Sequence, residues 1–582
     1  MGILIKNGLF YSGDKDEKAL VKHLLINDDG IIEKISSDPL LENDYEVIDA
    51  TGKWITPGFL DCHTHYDVEI IASPGLKESA RHGITTVILG SCSVSALYNN
   101  PEETSDCFTR VEAIPREVML PLMEREKSWN SVKEWKQYIE NKALGINIAA
   151  FVGHSDLRIK AMGIERSLQD NIEATKEEKT LMKKLLEEAL DEGFVGLSTM
   201  DNPWDKMDGD KYWSHKTPSF YSSWKERKNL IELLREKDAV LQGAPNLVTR
   251  ISAINYMLAS MGIFRKPLKT TMIALMDMIG DRYIFPVVSR VVSLVNKGFN
   301  GDFRMQSPPV PFTVYYDGVD SVMFEEFPAG EAMRHLAKNI DERNELIRDN
   351  EFRENFKKEI KKKFAPKVWH KDLSIAYILK CPDQSLVGKN FYQIAEETNV
   401  HPVDVFLDLV INYDKEISWT TTLANDREEK LPRLYNYPYN LLCFSDAGAH
   451  LNNMAFYNFN LQMIKRVQKS INAGKPIMSM EKCIWRLTKE QADWFNLDCC
   501  YLAEGKKADL VIINPSKIDQ ITDEVHQEKI EEFENYPRLV NRNPEFIEAV
   551  LVNGQVIYQN DQFVEGYGTS KKFGRFLKRK SA

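Results

Sequence analysis

Between residues 59 and 444 the chain repeats one texture: a short apolar run, a turn-forming cluster, then a stretch with helical spacing. The runs begin at Phe59 and continue as Thr86 to Leu89, Ile148 to Val152, Phe194 to Leu197, Ala239 to Leu241, Thr271 to Leu275 and Leu441 to Phe444. One intervening helix is well marked. Thr175 and Glu178 form a capping box, Leu181, Leu185 and Ala189 follow at i,i+4 spacing, and Gly193 can end it. Repeated strand-helix units predict an α/β fold with a parallel sheet, and their number favours a closed (β/α)8 barrel over an open sheet.

Both ends of the chain are β-rich. Ile3 to Lys6, Leu24 to Ile26 and Ile31 to Ile35 read as strands near the start, and Ala508 to Ile513 reads as one near the end. Ala549 to Val552 and Val556 to Tyr558 flank Asn553-Gly554, a strong hairpin signal. The expected organisation is a small β-sandwich from residues 1–56 plus 508–582, and a barrel over 57–507 with insertions at about 201–221 and 250–370. Segment 201–221 reads as a lid-like loop, and 338–363 as an exposed, charged helix. The basic run from Lys571 to Lys580 reads as a solvated tail.

Composition sets limits on function. The net charge of −11 argues against a general nucleic-acid binder. We find no apolar run long enough to span a bilayer and no signal-peptide pattern at the start, and the eight cysteines are too scattered for a disulfide framework. A reduced, cytoplasmic enzyme is the expectation, with oligomeric state left open.

The chemistry is concentrated where apolar runs end. Phe59-Leu60-Asp61-Cys62 leads into His63-Thr64-His65, and residues i and i+2 of a strand share a face, so both imidazoles aim at one point. Such a pair suits a divalent metal. Cys92 ends the next run, where a thiolate could join them. His154 and Arg158 follow the third, and Asp446, with His450 beyond it, follows the last. Asp446 reads as catalytic, His154 as either a substrate-facing or supporting group or a buried structural residue, His450 as a ligand, a supporting group or a structural residue, and His82 as structural.

Pro57-Gly58-Phe59-Leu60-Asp61-Cys62-His63-Thr64-His65, Gly83-Ile84-Thr85-Thr86-Val87 through Cys92, Gly153-His154-Ser155-Asp156-Leu157-Arg158, Gly196-Leu197-Ser198-Thr199 and Ser445-Asp446-Ala447-Gly448-Ala449-His450 occur in one order. Together they resemble the amidohydrolase superfamily, most of all its D-aminoacylase branch of N-acyl-D-amino-acid deacylases. The resemblance spans nearly the whole chain and is thinnest over about 200–430. It implies a distorted (β/α)8 TIM barrel with a β-sandwich, zinc as cofactor and a small-molecule N-acyl amino acid or related amide as substrate. By that likeness His63, His65 and Cys92 are metal ligands, and Asp446 is the general base.

The chain departs from the family's pattern after the fifth and sixth strands, where the resemblance implies histidines that bind the family's tighter zinc. Here those segments hold Gln242, Asn246 and Asp277, which offer oxygen donors only. The preferred reading is one zinc held by His63, His65, Cys92 and Asp446, with a second metal left open. Substrate contacts are expected from His154, Arg158, Gln242, Asn246 and His450, with Arg158 facing a substrate carboxylate. Two alternatives stay open: hydrolysis of a cyclic amide or imide, and a non-catalytic barrel that binds a small molecule or partner.

Overall fold

The computed structural model describes residues 2–42, 45–110, 112–362 and 368–580. Its centre is one eight-stranded parallel sheet in the order β8-β7-β6-β5-β4-β3-β2-β1. These strands are β1 (Phe59–Asp61), β2 (Ile84–Leu89), β3 (Asn147–Gly153), β4 (Gly196–Met200), β5 (Val240–Ala244), β6 (Lys269–Met272), β7 (Asp302–Ser307) and β8 (Asn440–Leu442). Every residue of β2 to β5 is buried, as expected of strands covered on both faces. The sheet curls, and its first and last strands meet beyond their regular ends. Thr64 bridges Ala447, the His65 amide donates to the Ala447 carbonyl at 2.7 Å, and the Asp446 amide donates to His63 at 3.2 Å. A Cys62–Cys443 disulfide crosses the same seam, with Cα atoms 5.6 Å apart. This is a distorted barrel. No cysteine pairing was expected from the sequence, because Cys62 and Cys443 lie 381 residues apart and meet only through barrel closure.

A second, nine-stranded sheet is assembled from both termini. Its join is the antiparallel pairing of Trp54–Pro57 with Leu510–Ile513. The Asn553-Gly554 turn connects Ile547–Val552 to Gln555–Gln559, with both turn residues at positive φ. The capping box at Thr175 and Glu178 starts helix Lys176–Asp191.

Three features differ from the sequence reading. Strand β7 is absent from it, because Asp302 and Arg304 interrupt the apolar pattern. Segment 250–298 forms two barrel helices, Ile251–Ser260 and Ile284–Gly298, and the additional substructure lies between β7 and β8. That substructure contains the antiparallel sheet of Phe312–Asp317, Ala376–Lys380 and Ser418–Ala424, and the charged helices Ile340–Arg348 and Asn350–Ile360. Those helices bury Ile347, Phe352 and Phe356, and residue 363 lies outside the described residues.

The basic C-terminal run is not a solvated tail. Its backbone lines up beside the start of β3, with the Ile148 amide donating to Arg575 and the Leu577 amide to Ile148. Phe573, Phe576 and Leu577 are buried while Lys571, Lys572, Lys578 and Lys580 stay exposed. Among the described residues, no helix is long and apolar enough to cross a membrane.

Candidate metal centre

Barrel closure and site assembly are the same event. His63 and His65 leave β1 and Asp446 leaves β8, so the hydrogen bonds of the seam set the imidazoles against the carboxylate. Gly448 permits this approach: at φ +90° a Cβ there would lie 2.6 Å from the backbone of His65. Cys92 follows β2 in a left-handed conformation, as does Ser93, with φ values of 52° and 72°. That turn directs the thiol inward instead of along the next helix.

Four donor groups converge. Cys92 Sγ lies 3.4 Å from His63 Nε2. Asp446 Oδ1 is 3.6 Å from His63 Nε2 and 3.2 Å from His65 Nε2. The donor atoms of His63, His65 and Cys92 all lie within 4.8 Å of one another. A tetrahedral ion with bonds of about 2.0 Å to nitrogen and about 2.3 Å to sulfur sets neighbouring donors roughly 3.3–3.6 Å apart. The cluster therefore fits such an ion. All four groups are buried, where an uncompensated thiolate is costly, and burial pushes the Cys92 thiol up to about 12.

Further residues orient these donors. His63 Nδ1 donates to Gln306 Oε1 at 2.6 Å, because a carbonyl oxygen can only accept, and this leaves the Nε2 lone pair facing the cluster. Glu112 Oε1 lies 3.2 Å from His65 Nδ1. Burial pushes the Glu112 carboxyl up to about 8, and burial likewise raises Asp205 to about 7. Asp446 behaves oppositely: although burial would raise it, His65, His450 and His63 hold its carboxyl well below the ordinary value.

The cluster forms the floor of a cavity of about 320 Å³. Its walls are apolar and rich in methionine, including Met200, Met257, Met272, Met276, Met305 and Met454. At the ends of β5 and β6 the wall is Ala244, Pro245, Met272 and Ile273, with no histidine. Polar groups reaching the cavity include Asn202, Asp205, Asn246, Arg250 and His450.

The structure brings His63, His65, Cys92, Asp446, His450 and Asn246 to one cavity, with His450 Nε2 3.9 Å from Asp446 Oδ2. It does not bring His154 and Arg158 there. His154 is enclosed against Ser219 at 3.0 Å, and the Arg158 guanidinium is occupied by Glu226, Ser167 and Pro218. Gln242 lies beneath the floor, where its carbonyl accepts from the Cys92 amide at 3.1 Å. Asp277 is held by Arg282 and Arg427 outside the cavity. His82 is buried against the Glu78 and Asn541 carbonyls, a structural contact. Sequence reasoning missed Glu112, Asp205, Arg250 and Gln306. Gln306 ends no continuous apolar run, because Asp302 and Arg304 interrupt the strand that carries it.

No family model matches the chain. An uncharacterized protein of Mycobacterium tuberculosis is 41% identical over 585 residues, covering 99% of this chain and 95% of that protein. Among solved structures, D-aminoacylase, described in terms of one-metal activation and second-metal attenuation, superposes with TM-score 0.62 at 17% identity over 99% of both chains. The N-acyl-D-glutamate deacylase of Bordetella bronchiseptica, complexed with zinc and a phosphonate inhibitor, gives 0.61 at 18% identity, again over 99% of both chains. The chain therefore belongs to one family with the mycobacterial protein, and its fold is similar to that of the solved D-aminoacylase.

Proposed function

We propose that this protein is a zinc-dependent hydrolase that cleaves the amide bond of an N-acyl amino acid bearing a large apolar group. One observation carries the reading: two imidazoles, a thiol and a carboxylate converge on the floor of a methionine-lined chamber. The mixed nitrogen, sulfur and oxygen set suits zinc, and His63, His65, Cys92 and Asp446 would hold it. We assign one ion per chain, since the β5 and β6 ends offer apolar wall where a second ion would need ligands. The solved D-aminoacylase, with its one-metal activation, supports that assignment. When bound, the metal supplies a Lewis acid for the scissile carbonyl and acidifies water.

The chain's own residues do the rest. Asp446 stays ionised at neutral pH, so it can take the proton of the attacking water. As the C–N bond breaks, it returns that proton to the leaving amine nitrogen. Water's oxygen ends in the new carboxyl group, whose remaining proton passes to the amine, so the products leave as a carboxylate and an ammonium group. Arg250 is the arginine that lines the cavity, and it is the partner we assign to a substrate carboxylate. The apolar walls hold the acyl group or side chain and keep bulk water from the reacting carbonyl.

The test combines metal analysis with a panel of N-acyl-D-amino acids, their L-isomers and cyclic imides. About one zinc per chain is expected. The Asp446→Asn variant should lose roughly 10²- to 10⁴-fold in kcat and keep its metal. Full zinc loading with no amide hydrolysed, or unchanged turnover in Asp446→Asn, would sink the assignment. Turnover of the cyclic imides alone would move it to ring opening.

A further inference from the structure

Two barrel helices present their apolar side outward. In Ile251–Ser260 the exposed residues include Ile251, Ile254 and Leu258, spaced by three and four. In Ile284–Gly298 they are Val287, Val291 and Leu294, again on one face, with exposed Tyr283 just before the helix. The helices lie side by side. The Gly262 amide donates to Phe299 and Asn300 at one end, and Arg250 lies 3.5 Å from Asp281 at the other. At the Gly262 end Phe264 is fully exposed (105%) on a loop tip beside exposed Ile263. Contiguous exposed apolar side chains of this kind mark an interaction surface.

Charge selects the occupant. Residues 247–299 carry seven basic residues against two acidic ones, in a chain whose net charge is −11; Arg250, Arg265, Lys266, Lys269 and Arg282 lie against carboxylates, so the outward charge rests on Arg290 and Lys297. Arg265 and Lys266, which follow the Phe264 tip, reach Glu232 and Asp238 at the edge of the patch. Arg290 and Lys297 are exposed on the second helix, and neither helix contains an acidic residue. A two-fold contact with a second copy would set these cations against one another, with no carboxylate on the helices to pair them. Apolar and aromatic side chains interleaved with Arg and Lys match the boundary of an anionic bilayer.

The same helices wall the chamber. Arg250, Ala253 and Met257 of the first segment and Ile284 and Val288 of the second line it from within. We propose that this outer face seats on an anionic phospholipid bilayer, placing the cavity wall against the lipid. The docking rests on the surface alone, and its use in delivering an apolar amide rests on the function proposed above.

The experiment is co-sedimentation of the full-length protein with phosphatidylcholine vesicles, with and without about one-third phosphatidylserine. Binding is read without turnover, so it stands whether or not the amide chemistry holds. Sedimentation with the anionic vesicles is expected, weakened in about 0.5 M salt. The double variant Phe264→Ser, Leu294→Asp should partition roughly tenfold less or worse. An unchanged thermal midpoint shows that the variant is folded, and Arg290→Glu replaces it if the midpoint drops. Equal recovery with neutral and anionic vesicles would overturn the proposal, as would full binding by the folded variants. A lipid-free dimer that Leu294→Asp converts to monomer would overturn it too, and would assign the face to a second copy.

Discussion

His63 can place either ring nitrogen toward the cluster, and Gln306 decides between them. Its carbonyl at 2.6 Å fixes the hydrogen on Nδ1, so the basic lone pair sits on Nε2, the atom 3.4 Å from Cys92 Sγ. Replacing Gln306 by Leu keeps much of the volume but removes the acceptor. The ring would then lose its orientation and part of its basicity. Zinc affinity is expected to fall roughly 10- to 100-fold. Competition titration with a chromophoric chelator measures this directly, and an affinity equal to wild type would show that packing against Phe444, 4.4 Å away between ring centroids, orients His63 instead. Gln306 and Glu112 were not legible in the sequence for different reasons. Gln306 ends β7, whose Asp302 and Arg304 break the apolar run. Arg304 is tolerated there because it lies 3.2 Å from Glu490, a contact made only in the folded chain. Glu112 belongs to an irregular connection between helices, where no periodicity marks an inward-facing residue. His63, His65, Cys92 and Asp446 were legible because each sits just beyond an apolar strand, where side chains at the C-terminal ends must converge.

Among the secondary elements, the C-terminal run shows what charge can conceal. Six of the ten residues in KKFGRFLKRK are basic, which reads as solvated, yet Phe573, Phe576 and Leu577 point into the barrel's flank. Phe576 packs on Trp135 and Phe194, with ring centroids 6.1 and 5.3 Å away. The Lys136 ammonium lies over the same ring. The lysines keep their charges in water while the backbone pairs beside β3. Deleting residues 572–580 should therefore destabilise the whole fold, since burying each large side chain is worth about 2–5 kcal/mol. A lower thermal midpoint is expected, and Phe576→Ala alone should show part of the loss. A midpoint unchanged by the deletion would mean that the strand-like pairing adds nothing to the barrel. The barrel itself was easier to read, because strands buried on both faces leave continuous apolar runs such as Ile84–Leu89. The substructure between β7 and β8 was not, since its strands alternate buried and exposed residues over short antiparallel pairs.

Across the whole molecule, the weakest join in the barrel is also the site. β1 and β8 share no regular ladder. They meet through the Thr64–Ala447 bridge, two backbone hydrogen bonds, the Cys62–Cys443 link and the side chains of His63, His65 and Asp446. A metal held by those side chains binds only the closed seam, so its binding energy adds to the stability of the barrel. By mass action the gain is about 2.7 kcal/mol when free metal stands at 100 times Kd. Removing it leaves two buried imidazoles, a thiol and an ionised carboxylate facing one another without their cation. Exhaustive chelation should lower the thermal midpoint, and stoichiometric zinc should restore it. Cys92→Ala should respond less to both treatments, because it lacks one of the seam's donors. Performing each melt under reductant keeps the cysteine link out of the comparison. If chelation removes zinc and the midpoint does not move, closure depends on the backbone bridge alone, and the metal serves chemistry without supporting the fold.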